Sequence, residues 1–184
     1  MARDIDSFRG GNYSGRDARL FNEWEMIDRR YQDDDQCEYI IRKRNVANLP
    51  IMYDIVFNVK TITGVEPPDE QGLQRPIFGK EHTMRITLPN NYPGSDGKPE
   101  FMFITEVWHP NIRYFGDFKG RVCLNPNDRS VYTPLVEYID TVISFLTYED
   151  YHAENEYPYP EDLEVAEWVL NQAEPQGWLS FEQD

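Results

Sequence analysis

Hydrophobic side chains recur along this chain with two different periods. Leu20, Trp24, Ile27 and Tyr31 fall on one stripe at helical spacing and predict a helix. Ser14 with Asp17 forms a candidate capping box at its start. Asp33-Asp34-Asp35 should end it, because an acidic run opposes the dipole at a helix C-terminus. Residues 1–13 are polar, break at Gly10-Gly11, and are expected to be a flexible arm.

The period then shortens. Cys37 to Arg42 is a candidate first strand. Tyr53, Ile55, Phe57 and Val59 alternate with Asp54, Asn58 and Lys60, with Val56 interrupting the polar face. Thr83 to Leu88 alternates with Met84, Ile86 and Leu88 inward, and Phe101 to Val107 makes a fourth strand. Gly64 to Gly72, with Pro67-Pro68, is expected to be a loop, and Asn90-Asn91-Tyr92-Pro93-Gly94 a turn. Such short, turn-rich links predict an antiparallel meander. Helical spacing returns at Leu135, Tyr138, Ile139, Val142 and Leu146, and again at Leu163, Ala166, Trp168 and Leu170. The order predicts an α+β fold with helices on one face of a four-stranded sheet. Residues 14–184 read as one domain ending in a short tail, in which Trp178, Leu179 and Phe181 either cover the core or dock a partner.

Composition narrows the function. A chain of 184 residues with 40% hydrophobic side chains can bury a substantial core. Its formal charge of -15 argues against nucleic acid, which needs clustered Lys and Arg, and against anionic membranes. It suits basic protein partners. No run of transmembrane length or signal-peptide character stands out, so a soluble cytoplasmic protein is expected. Cys37 and Cys123 are far apart and fit two free thiols in a reducing compartment, with Cys37 a core thiol. The histidines His82, His109 and His152 are scattered, and no Cys/His cluster suggests a metal.

The chemistry concentrates in Trp108-His109-Pro110-Asn111-Ile112 and, after a loop, Gly120-Arg121-Val122-Cys123-Leu124. A lone thiol near an amide donor is acyl-transfer equipment. The bland readings are an inert core thiol at Cys123 and a turn residue at Asn111.

These segments resemble the ubiquitin-conjugating enzymes, the E2 family. Arg19-Leu20-x-x-Glu23-Trp24 is similar to the family's first-helix pattern, and Arg75 to Lys80 stands at its Ser-Pro-Tyr-x-Gly-Gly turn. Pro89-Asn90-Asn91-Tyr92-Pro93 resembles Pro-x-x-Tyr-Pro, and His109-Pro110-Asn111 resembles His-Pro-Asn. Gly120-x-Val122-Cys123-Leu124 is similar to the Gly-x-Ile-Cys-Leu active-site segment, and Tyr132-Thr133-Pro134 replaces Trp-x-Pro. The resemblance covers roughly residues 14–172. The link through 113–119 is longer than usual, the loop from Val65 to Gln74 is enlarged, and the first helix's arginines are offset by acids. This divergence suggests an outlying, bacterial member.

The resemblance implies a ubiquitin-conjugating-enzyme-like fold. Cys123 would accept a ubiquitin-like protein from an E1-like activating enzyme as a thioester, then pass it to an amine, expected to be a lysine of a target protein. Asn111 would brace the active-site loop or donate to the oxyanion. His109 and Pro110 would hold the turn. The loop from Tyr148 to Tyr159 would border Cys123, with His152, Asn155 or Glu156 tuning lysine attack. No metal or other cofactor is expected, since the activating enzyme spends the nucleotide. The rival reading is a non-catalytic module of the same fold that binds a ubiquitin-like protein; its mark, a missing cysteine, is absent.

Overall fold

The computed structural model describes residues 3–124 and 132–183. Helix α1 (Gly15–Tyr31) buries the stripe Leu20, Trp24, Ile27 and Tyr31. Burying one large apolar side chain contributes roughly 1.5–3 kcal/mol, so this stripe, more than intrinsic propensity, holds the helix. It packs against an antiparallel sheet of β1 (Cys37–Arg44), β2 (Pro50–Phe57), β5 (His82–Thr87) and β6 (Glu100–Phe103), in the order β1-β2-β5-β6. Between β2 and β5 the chain makes a separate two-stranded sheet, β3 (Thr61–Val65) with β4 (Pro76–Gly79). Helix α2 (Leu135–Leu146) follows. Last, α3 (Leu163–Trp168) continues through a π-helical stretch, Val169–Ala173, into the short α4 (Glu174–Gln176).

The register puts one face of the sheet inside. Tyr53 lies opposite Ile86, Ile55 opposite Met84, and those two in turn opposite Phe101 and Phe103. All six are buried with the inner stripes of α1 and α2. Asp54 belongs to the other face yet is fully buried, because Arg42 (2.5 Å) and Arg85 (2.8 Å) close over it from the two neighbouring strands. Desolvation alone would raise its pKa; the two guanidinium groups overcome that and hold it below the usual value.

Several local expectations are corrected. Asp4–Ser7 forms a 3-10 turn rather than part of a flexible arm. Ile5 is buried, the Phe8 ring packs edge-on against Trp24, and Arg3 pairs with the buried Asp28. Two apolar residues three apart are enough to seat one helical turn on α1. Ser14 occupies the N-cap of α1 without a side-chain cap, and Asp17 instead accepts from Asn45 Nδ2 at 2.9 Å. The β3–β4 pairing takes in Gly64 and Val65 of the expected loop and Pro76–Gly79 of the expected turn. The enlarged loop between them is anchored, since Gln74 accepts from Trp168 Nε1 at 2.9 Å and donates its N–H to Gln172 at 2.8 Å. The fourth strand stops at Phe103, short of Val107.

A second apolar cluster lies around Ile62, Trp108, Tyr148 and the inner side of α3. The aromatic tail packs on it: Trp178 stacks on Trp168, and Phe181 touches Phe78 and Tyr148. The Gln183 side chain donates to Lys60 O and accepts from Lys60 N–H.

Candidate active site

A buried carboxylate sets the frame. Glu23 of α1 accepts from Arg19 (2.6 Å), from the Tyr92 hydroxyl (2.8 Å) and from the first N–H of α2, at Leu135 (2.8 Å). Arg16 also donates to Pro89 O and Tyr92 O. One charge thus joins α1, the turn after β5 and the N-terminus of α2, where a helix dipole favours an anion.

Beside this frame runs a short hairpin ladder. Val122 N–H donates to Phe101 O (3.1 Å) on β6, and Met102 bridges Arg121. On the other side Cys123 N–H donates to Asn111 O (2.8 Å), Arg113 N–H to Arg121 O (2.8 Å) and Gly120 N–H to Arg113 O (2.7 Å). Gly120 adopts φ +94°, and a Cβ there would lie 2.1 Å from Phe103 O, so only glycine lets the ladder approach β6. Cys123 sits at the end of this ladder, partly exposed. Cys37 is buried, which pushes its thiol up to about 12, aided by Asp34 and Asp140 nearby.

His109 is wholly buried between the rings of Phe145 and Tyr148, each 4.8 Å away. Its Nδ1 accepts from Asn111 N–H at 3.1 Å. Its other nitrogen, Nε2, therefore carries the proton and donates to Asp150 O at 3.2 Å. Desolvation depresses its pKa to about 3, so the ring is neutral at physiological pH and already occupied at both nitrogens.

Asn111 is buried as well, and its Oδ1 accepts from His152 N–H at 2.9 Å. That bond fixes which end of the amide is oxygen. Nδ2 has no hydrogen-bond partner among the described residues. The structure thus joins Cys123 to Asn111, and Asn111 to the loop after α2 through the His152 main chain. The His152 ring turns to its own loop, 3.2 Å from Glu154 and 3.1 Å from Glu156 O. Asn155 and Glu156 are exposed, and no side-chain hydrogen bond joins either to Asn111 or Cys123. Pro110 accepts from Asp162 N–H at 3.0 Å.

Sequence reasoning missed Asp162. Buried at the N-cap of α3, its Oδ1 accepts from Glu164 N–H and Val165 N–H, and its Oδ2 from Tyr114 N–H (2.9 Å) and Phe115 N–H (3.2 Å). It pins the extra residues after Asn111 to the start of α3. The signal available was an Asp just before an apolar helical run, the ordinary N-cap pattern. Its neighbour Glu161 pairs with Arg121 (2.6 Å) and Arg113 (3.3 Å). A groove of about 610 Å³ opens beside Cys123, walled by Phe101, Met102, Phe118 and Tyr138, with Lys98 and Arg121 among its lining residues.

No family model matches the chain. In sequence it is 32% identical over 103 residues to the ubiquitin-conjugating enzyme E2 N of Drosophila melanogaster, a match spanning 54% of this chain and 60% of that protein. The chain thus spans about three-fifths of the relative it matches. In structure it is similar to the E2 domain of a Toxoplasma gondii ubiquitin conjugating enzyme, with TM-score 0.56 and 20% identity, covering 90% of this chain and 91% of that one. It is also similar to a ubiquitin conjugating enzyme E2 from Plasmodium falciparum, with TM-score 0.51 and 16% identity, covering 79% and 92%. The chain has the ubiquitin-conjugating-enzyme fold, α+β, with an N-terminal helix, a four-stranded antiparallel sheet and C-terminal helices. Among the described residues no helix is long and apolar enough to cross a membrane.

Proposed function

We propose that this E2-like chain carries a ubiquitin-like protein as a thioester on Cys123 and transfers it to a lysine of a target protein. The observation that carries this reading is a partly exposed thiol lining a groove, tied by its main chain to an amide whose NH₂ end has no hydrogen-bond partner among the described residues. In the first step the Cys123 thiolate attacks the thioester held by an E1-like activating enzyme, and that enzyme's thiol leaves. In the second a lysine amine attacks the same carbonyl carbon. The C–N bond forms, the C–S bond breaks, and Cys123 departs as thiolate while the amine gives up its proton.

Asn111 Nδ2 is the donor for the oxyanion of that second step. His109 and Pro110 hold the turn, and a buried neutral imidazole takes no part as a base. The loop from Tyr148 to Tyr159 borders the reacting carbonyl, where His152, Asn155 or Glu156 orients the incoming lysine. Both thiols being free fits a reducing, cytoplasmic compartment.

The test is charging. With a ubiquitin-activating enzyme, ATP and ubiquitin, the protein forms an adduct that reductant removes. Cys123→Ala abolishes it, Cys37→Ala leaves it, and Cys123→Lys gives a reductant-stable conjugate. A reducible adduct that survives in Cys123→Ala would refute the assignment.

A further inference from the structure

The aromatic tail is fastened at three points. Trp178 stacks on Trp168 of α3, with ring centres 6.2 Å apart. Phe181 meets Phe78 of β4 edge-on at 5.1 Å and Tyr148 at 6.3 Å. Gln183 commits both ends of its side-chain amide to the main chain of Lys60, at 2.7 and 3.0 Å. Residues 178–183 thus form a strap from the end of the last helix to the small sheet. Ser180, Glu182 and Gln183 are exposed and Phe181 is half-buried. A segment so lightly covered opens locally at low cost, and its ring contacts chiefly hold it down.

Tyr148 is the residue through which the strap reaches the site. Its backbone is left-handed, with φ +57°. For a bulky side chain that conformation is costly and persists only where the surroundings impose it. Its ring makes four contacts that do so. The hydroxyl donates to Trp108 O, and the ring packs on His109 (4.8 Å), Tyr151 (5.7 Å) and Phe181. Only Phe181 comes from the tail. The segment that Tyr148 opens holds the His109–Asn111 turn twice more. His109 Nε2 donates to Asp150 O, and His152 N–H donates to Asn111 Oδ1. Tyr148 therefore has two arrangements, a left-handed one that seats this segment on the turn and a relaxed one that does not. Phe181 favours the first.

We propose that Phe181 is a positioning residue for the transfer step, acting through Tyr148 on the Asn111 amide. With the strap seated, Phe181 walls the Tyr148 ring and the left-handed turn is kept. With the strap lifted, Tyr148 relaxes toward negative φ. The two bonds that orient Asn111, from its N–H to His109 Nδ1 and to its Oδ1 from His152 N–H, then loosen together. The consequence falls on lysine attack and not on charging, since the amide is the donor for the oxyanion of the second step. The role in transfer rests on the thioester reading of Cys123; the hold on the turn does not.

The experiment uses the full chain, isotopically labelled, and two variants. Phe181→Ala removes the wall, and Phe181→Leu restores an apolar one. Amide hydrogen exchange is followed by NMR at Asn111 and His152, whose N–H groups make the two orienting bonds, and at Ile55 and Met84 in the buried sheet. Phe181→Ala should speed exchange at Asn111 and His152 by roughly 2–30-fold, the range over which a residue outside a site shifts a coupled equilibrium, and leave Ile55 and Met84 as in wild type. Discharge of ubiquitin from Cys123 to free lysine, in single-turnover chases, should slow by a similar factor at saturating lysine, with the half-saturating concentration and the charging step unchanged. Phe181→Leu should recover most of both. Wild-type exchange at Asn111 and His152 in Phe181→Ala overturns the proposal. So does an equal rise at Ile55 and Met84, which would mark a loss of global stability, and so does wild-type discharge from a loosened turn. If Cys123 fails to charge at all, the thioester reading falls and the role in transfer with it, while the exchange measurement still decides whether Phe181 holds the turn.

Discussion

Acid should dismantle the active-site turn through His109. The ring is buried and neutral, with its pKa depressed to about 3, against about 6.5 for an unfolded histidine. The unfolded chain therefore takes up this proton first. Stability from this group is complete above about pH 6.5 and falls as pH drops toward 3. Between pH 7 and pH 5 the cost is about 2 kcal/mol, since one pKa unit corresponds to about 1.4 kcal/mol. Protonation has a structural target too. The new proton goes on Nδ1, which in the neutral ring accepts from Asn111 N–H, so two donors would face each other. Urea unfolding followed by tryptophan fluorescence at pH 7 and pH 5 measures the effect. His109→Gln lowers stability at both values but flattens the difference between them. If the variant lost as much stability as wild type over that interval, the proton would be taken up elsewhere and the reasoning would fail.

Two further substitutions separate roles that the geometry joins. Asn111→Asp keeps an oxygen for His152 N–H but removes the NH₂ donor; it should leave charging intact and slow discharge to free lysine about 100-fold, as Asn111→Ala does, measured in single-turnover chases. Near-wild-type discharge in Asn111→Asp would reduce the residue to a loop brace. Asp162→Ala removes an N-cap, worth about 1 kcal/mol, and strands the Tyr114 and Phe115 N–H groups, at about 1 kcal/mol each because they are only partly buried. A loss of about 3 kcal/mol lowers Tm by roughly 6–12 °C, readable by calorimetry, and a shift within 1 °C would show that the extra residues are held without it.

What the sequence revealed follows from which forces are local. The stripe of α1, the alternation of β2 and β5 and the stripe of α2 repeat one instruction over many residues, so their periods survive in the primary structure. Thr61–Val65 is five residues long and breaks its own alternation at Gly64, so its pairing with Pro76–Gly79 left no period to read. Ile5 and Phe8 were too few to stand out in a polar stretch, yet one helical turn suffices to bring both onto α1. Within the candidate site, Cys123 and Asn111 stood out because the proposed chemistry would use their side chains. The part played by His152 was invisible for the opposite reason: it binds Asn111 through a main-chain N–H that nearly any residue supplies. Asp162 showed its helix cap locally, but its bonds to residues 114 and 115 join segments 47 and 48 positions apart.

The longer link between Asn111 and Cys123 is the chain's sharpest departure from the E2 pattern, and the ladder explains why it can be tolerated. Asn111 faces Cys123, and two residues further in Arg113 faces Arg121. These partners keep one antiparallel register, so the added length lies at the hairpin tip, beyond the last paired rung. Lengthening a tip does not alter the separation at the base. The entropic cost is small, because doubling a flexible loop costs only about 0.6 kcal/mol. Asp162 offsets it by accepting two N–H groups from the tip, and Glu161 does so from outside through Arg113 and Arg121. The spacing between the thiol and the amide is therefore set by one main-chain bond of 2.8 Å and not by the number of residues between them.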